Sequence, residues 1–246
     1  TYEIDDYSNI DLTRALDLDI DLVPTNDDAT KWRPRYPDMI YVRSIRGDGS
    51  GSITTEEVTT TANFADTGRW WFSDCPAPAR KLAEMNAGQV DSYLATLEPF
   101  GATYHDIGMI WGGRLLSPTG LFASENGDVN ATKPTNRNLI FLTDGQTEPY
   151  DISYGAYGVD ALDQRRWSPS SALSLTDTIE QRFLAACKEV KKKNITVWVI
   201  AFGTELNPSM TECAGPGRYF EASDATQLSA AFKTIAASLG DLRISQ

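Results

Sequence analysis

Two residues of this chain have the type and the setting for divalent-cation chemistry: Thr103, in Gly101-Ala102-Thr103, and Asp144, in Leu142-Thr143-Asp144-Gly145. A hydroxyl and a carboxylate are hard oxygen donors. They suit Mg²⁺, which takes few protein ligands and keeps several waters. Asp144 closes the run Asn138-Leu139-Ile140-Phe141-Leu142-Thr143. Its large apolar residues do not alternate with polar ones, which predicts a strand buried on both faces of a parallel sheet. The carboxylate is then delivered at the carboxyl end of a central strand, where open α/β sheets place their ligand sites. A plainer reading gives Asp144 a turn and Thr103 a helix cap, because Asp-Gly is ordinary turn chemistry. His105, the only histidine, follows Thr103 by two residues. It reads either as a border of the site or as a helix-entry residue.

Other chemistries are excluded by what the chain lacks. Gly-x-Ser-x-Gly is absent, which argues against an α/β-hydrolase, and so are a Walker loop and a dinucleotide fingerprint. The net charge of -12, from 22 basic and 34 acidic residues, argues against nucleic acid as a partner, since phosphate binding needs clustered Lys and Arg. The basic run Lys191-Lys192-Lys193 reads as the end of a helix, where it complements the helix dipole. No apolar run approaches the length of a membrane span. The chain starts at Thr1 without Met, and is read as a fragment or a processed product.

The elements that must position Thr103 and Asp144 are legible from about residue 76 onward. Helices are predicted over 78–85, 87–97 and 107–116, the last burying Met109, Ile110 and Trp111. The strand ending at Asp144 follows. After an excursion over 146–175 that is too long for a routine connection, Thr176 or Asp177 caps a helix running to Lys193. Its Ile179, Phe183, Leu184 and Cys187 share one face. A second buried strand covers Ile195 to Gly203. A short helix near Ser209, a strand over Arg218 to Ala222 and a closing helix with Leu228, Phe232, Ile235 and Leu239 on one stripe complete the pattern. This alternation predicts an α/β layer structure with parallel strands. Residues 1–75 differ. They are rich in Asp, Thr, Arg and Pro, with strand-like stretches at Met39-Ile40-Tyr41-Val42 and over Thr54 to Phe64. They are read as an accessory insertion, and residues 76–246 as the domain proper.

The chain has three cysteines. Cys75 lies in a loop, and Cys187 and Cys213 flank one strand. Right-handed crossovers put both flanking segments on the same face of the sheet. A disulfide between them is then possible, pointing to an oxidising compartment; two buried thiols are the alternative. The pairing is carried forward as the expectation.

The order Gly101-Ala102-Thr103, Leu142-Thr143-Asp144-Gly145, then Pro216-Gly217-Arg218-Tyr219-Phe220-Glu221-Ala222 resembles successive landmarks of a von Willebrand factor A domain. Longer stretches resemble the TadG-like pilus assembly proteins of bacterial tight-adherence systems. They are Thr103-Tyr104-His105-Asp106-Ile107-Gly108-Met109-Ile110-Trp111-Gly112, Ser117-Pro118-Thr119-Gly120-Leu121-Phe122 and Asn194 to Thr204. The resemblance implies a Rossmann-like parallel sheet of von Willebrand factor A type, its first strand missing from this sequence, with a β-containing N-terminal insertion. It further implies a non-catalytic protein-binding module on the periplasmic or extracellular face of the bacterial envelope. The full-length protein would be membrane-anchored, with a protein partner in the pilus machinery or at the cell surface. By the same pattern Thr103 and Asp144 carry over as ligands of a metal-ion-dependent adhesion site for Mg²⁺ or another divalent cation. Such a site also needs an Asp-x-Ser-x-Ser loop after the first strand. Asp48-Gly49-Ser50-Gly51-Ser52 matches formally, but Arg43 and Arg46 precede it and strand-favouring residues follow it. The resemblance therefore implies a loop upstream of this chain. The competing functions are a metal-dependent enzyme on a Rossmann-like sheet and an A domain kept as a metal-free scaffold.

Overall fold

The computed structural model describes residues 12–31, 77–98, 102–130, 132–149 and 164–241. It adds residues 156–157 and 160, and the backbone of short segments at 40–41, 44–47, 53–56 and 64–65. Cys75 and the Asp48-to-Ser52 loop lie outside the described residues.

In the first part, β1 (Ile40–Tyr41) pairs antiparallel with β4 (Phe64–Ala65), and β2 (Ser44–Gly47) with β3 (Ile53–Glu56). The main sheet is parallel, in the order β5 (Arg137–Thr143), β6 (Ile195–Phe202), β7 (Tyr219–Ala222). Leu139 lies opposite Val197, Thr143 opposite Ala201, and Ala201 opposite Glu221. The expected parallel neighbours are therefore present.

One face of this sheet is covered by α2 (His105–Leu116), α4 (Leu175–Lys192) and α5 (Pro208–Ala214). Met109, Ile110, Phe183, Val190, Leu139, Val197 and Val199 form one buried cluster there. Each such side chain, fully withdrawn from water, contributes roughly 1.5–3 kcal/mol of burial. Ala15, Leu18 and Ile20 belong to the same cluster, so residues ahead of 76 help build this core. Helix α2 approaches its neighbours through glycine. A Cβ added at Gly113 would lie 2.5 Å from Val190 Cγ2 and 3.2 Å from Ile20 Cδ1. Ser174, and not the expected Thr176 or Asp177, caps α4 by accepting from the Asp177 N–H, while Lys191 and Lys192 occupy its last turn, opposite in sign to the dipole there. Asn194, in a left-handed conformation (φ 57°), then turns the chain directly into β6. The second face is covered by α6 (Ala225–Asp241). Its Ala231 and Ile235 are buried against Trp198 and Ile200, with Phe220, Leu228 and Leu239 packed around them.

Five local expectations are corrected. Residues 78–85 form no helix and are exposed up to the half-buried Met85; the equally short α1 that follows is started by a capping box between Asn86 and Gln89. Helix α1 spans Ala87–Leu94 and stops short of Leu97. Strand β5 is not buried on both faces: Ile140 and Leu142, on the α6 side, are 36% and 47% exposed, because α6 packs over β6 and β7 and leaves β5 open. On α6 itself Phe232 is 40% exposed, and Ala231 takes the inward position. Trp111 is half-buried, unlike Met109 and Ile110.

Cys187 of α4 and Cys213 of α5 form a disulfide, their Cα atoms 5.8 Å apart. Among the described residues no helix is long and apolar enough to cross a membrane.

Candidate metal site and its histidine brace

Asp144 follows the last residue of β5 and is exposed at the carboxyl edge of the sheet. Thr103 is half-buried, two residues ahead of α2. Its backbone forms an antiparallel bridge to Glu148: the Thr103 N–H donates to the Glu148 carbonyl at 3.0 Å, and the Glu148 N–H donates back at 3.2 Å. The Thr103 loop thus runs beside the segment that leaves Asp144. Among the described residues no side-chain hydrogen bond occupies either donor. No group of three His, Cys, Asp or Glu converges among the described residues to hold a metal; at this edge Thr103 offers a hydroxyl and Asp144 a carboxylate, the donor types that suit a hard cation.

His105 ties the same two loops together from within. It opens α2 and is buried. Its Nε2 lies 3.1 Å from Thr143 Oγ1, and its Nδ1 2.9 Å from Thr147 Oγ1. The Thr143 hydroxyl donates to the Gly145 carbonyl at 3.0 Å. The edge of Phe141 meets the ring at 5.4 Å between centroids, and Phe183 lies at 6.0 Å. Burial pushes the imidazole pKa below its ordinary value, against the opposing pull of Asp106. The residue read as a possible border of the site is an internal strut beneath it.

Next to the brace lies a feature that periodicity did not signal, a buried ionic cluster. The Arg182 guanidinium of α4 binds Asp106 of α2 at 2.9 Å and also Asp17. Arg166 meets Asp160 through two bonds of 2.6 and 3.0 Å and reaches Asp106 at 3.3 Å. Both guanidinium groups face the ring of Tyr157, at 4.5 Å for Arg166 and 5.3 Å for Arg182. Burial would lower the Arg166 pKa, but Asp160 and Asp106 outweigh it and keep the group charged. The cluster joins the N-terminal segment, α2, α4 and the excursion before α4. One signal in the sequence could have revealed it: Arg182 stands three residues after Ile179 and one before Phe183, on the apolar stripe of α4, where a charge demands a buried partner.

No protein-family model matches this chain, and no curated protein does. Two crystal structures of the pilus adhesin SpaC from Lactobacillus rhamnosus GG, one in its open conformation, align with 62% of this chain at 18% identity and a TM-score of 0.40. The aligned part spans 21% of the adhesin's length. A likeness at that level carries no argument about this chain.

Proposed function

We propose that the chain is the carboxyl-terminal portion of a von Willebrand factor A-type domain of TadG-like character, a non-catalytic protein-binding module of the bacterial cell envelope acting in tight-adherence pilus assembly. In this reading Thr103 and Asp144 are ligands for Mg²⁺ or another divalent cation. Upstream residues of an Asp-x-Ser-x-Ser loop would complete the cation's shell. The observation that carries the reading is the placement of the Thr103 loop and Asp144 on one carboxyl edge of a parallel sheet, joined by the Thr103–Glu148 bridge, in the chain order the motif resemblance requires. The Cys187–Cys213 bridge supports an extracytoplasmic location, because disulfides persist in oxidising compartments.

The test is calorimetric titration with Mg²⁺. This chain should bind weakly, since two oxygen donors leave most of an octahedral shell to water. Extending it upstream should raise the affinity, and Asp144→Ala should abolish the gain without unfolding the domain. Tight binding by this chain that Asp48→Ala removes would instead identify Asp48 to Ser52 as the adhesion loop. Absence of any gain on extension would favour the metal-free scaffold.

A further inference from the structure

We infer that His105 is a positioning residue for the proposed cation site: by holding Thr143 and Thr147 at once, it fixes the turn carrying Asp144 to the start of α2 and so to the Thr103 loop. This rests on the cation reading above and adds the part that sets the spacing of its two donors.

Proton bookkeeping assigns the imidazole one form. The Thr143 hydroxyl has a single proton, and the Gly145 carbonyl at 3.0 Å takes it. Thr143 Oγ1 must therefore accept from His105, which places the ring proton on Nε2. The bare Nδ1 then accepts from the Thr147 hydroxyl at 2.9 Å. In this neutral Nε2–H form both ring nitrogens are satisfied. Phe141 and Phe183 hold the ring from two sides, so its direction is set by packing as well as by hydrogen bonds.

The contacts make a closed circuit. Thr103 is bonded through its backbone to Glu148, the residue after Thr147. Two residues past Thr103, His105 holds Thr147 on one nitrogen and Thr143 on the other. Asp144 lies between those anchors. Removal of the imidazole nitrogens would leave the Thr103–Glu148 bridge as the tie to the Thr103 loop, while Gln146 still holds the turn to Thr204 and Glu205 on the other side. The carboxylate would then follow the β6–α5 loop and lose its fixed distance from the Thr103 hydroxyl. Groups that orient metal ligands without touching the metal change affinity by about 10–100-fold when lost.

The experiment titrates the protein with Mn²⁺, a paramagnetic stand-in for Mg²⁺, following line broadening near Thr103 and Asp144. Amide hydrogen exchange at Gly145 and Thr147 is measured in parallel. His105→Phe keeps a ring between Phe141 and Phe183 and removes both nitrogens; His105→Gln restores a donor toward Thr143. His105→Phe should weaken Mn²⁺ binding about tenfold and speed exchange at Gly145 and Thr147, and His105→Gln should recover most of both. If His105→Phe does not fold, Thr147→Val and Thr143→Val each cut one tie, and each should weaken binding in the same direction. Equal Mn²⁺ affinity in the parent and in the variants that fold, with Asp144→Ala abolishing binding, would overturn the positioning role and leave the cation reading standing. A parent that binds no Mn²⁺, or binds as well after Asp144→Ala, sinks the cation reading. The brace is then judged by exchange alone, and unchanged exchange at Gly145 and Thr147 overturns it.

Discussion

The Nε of Arg182 donates to Oδ2 of Asp106 at 2.9 Å with both side chains wholly withdrawn from water. The pair bridges α4 and α2 at the end of α2 that leaves the Thr103 loop. Asp106 also receives Arg166, so one carboxylate balances parts of two guanidinium groups in the interior. A buried ion pair adds little over a well-packed apolar pair, but a lone charge left behind is costly.

Asp106→Ala should therefore destabilise the domain by about 3–5 kcal/mol, far more than the loss of one hydrogen bond. Urea denaturation followed by circular dichroism checks it. Adding Arg182→Met to Asp106→Ala should deepen the loss, because the buried Asp17 carboxylate then loses its arginine as well. A double variant as stable as Asp106→Ala alone would count against this account.

Acid should act through Asp17. Burial alone would raise its carboxyl pKa, but the charges of Arg182 and Arg165 and the hydrogen bonds it receives together outweigh burial and hold it below the ordinary value. A carboxyl depressed in the folded state binds fewer protons there than in the unfolded chain, so stability rises with pH across that window. The contribution is present above about pH 4 and is lost as the pH falls below it. Asp17→Asn should flatten that part of the stability–pH curve while remaining less stable than the parent at pH 7.

Reduction of Cys187–Cys213 should cost about 3.5 kcal/mol, from the loop entropy of a bridge spanning 26 residues. Thermal melting with and without reductant measures this. A thiol assay on denatured, unreduced protein should detect neither of these two sulfurs. Three thiols in that assay would contradict the bridge.

Gly113→Ala should destabilise by about 1–3 kcal/mol although alanine favours helix by nearly 1 kcal/mol. The new methyl would fall 2.5 Å from Val190 Cγ2 with Ile20 on the same side, and a β-branched valine has little rotamer freedom to give way. Combining it with Val190→Ala should relieve part of the cost, and a denaturant series on the three variants would show it.

The main sheet could be read from residue types because its strands are apolar runs bounded by turn residues: Leu139 to Leu142 and Val197 to Ala201 both read as strands. Helix α4 was equally plain from Ile179, Phe183 and Cys187. The reading failed where burial depends on a neighbour. Leu142 is as apolar as Leu139, yet its exposure is decided by how far α6 reaches across the sheet. The stretch 78–85 has helical composition but lacks the reciprocal cap that starts α1 at Asn86 and Gln89. At the site, Thr103 and Asp144 stand out as oxygen donors, whereas the use of His105 depends on two threonines 38 and 42 residues away in sequence, and no local pattern encodes that. The ionic cluster was hidden for a related reason: Asp17 and Arg182 are 165 residues apart, and a charged residue is scored as surface until its partner is known.

The Cys187–Cys213 bridge encloses all of β6, the strand between β5 and β7. A pull applied to the two ends of the chain would therefore bypass β6, since tension entering at one sulfur leaves at the other. While the bridge is intact the central strand cannot be peeled out by load. The contour length released on forced unfolding would be shorter by about 80 Å than in the reduced protein, at roughly 3.3–3.6 Å per extended residue. For a molecule that carries mechanical load, oxidation of one buried pair would set how far the domain can stretch before it breaks.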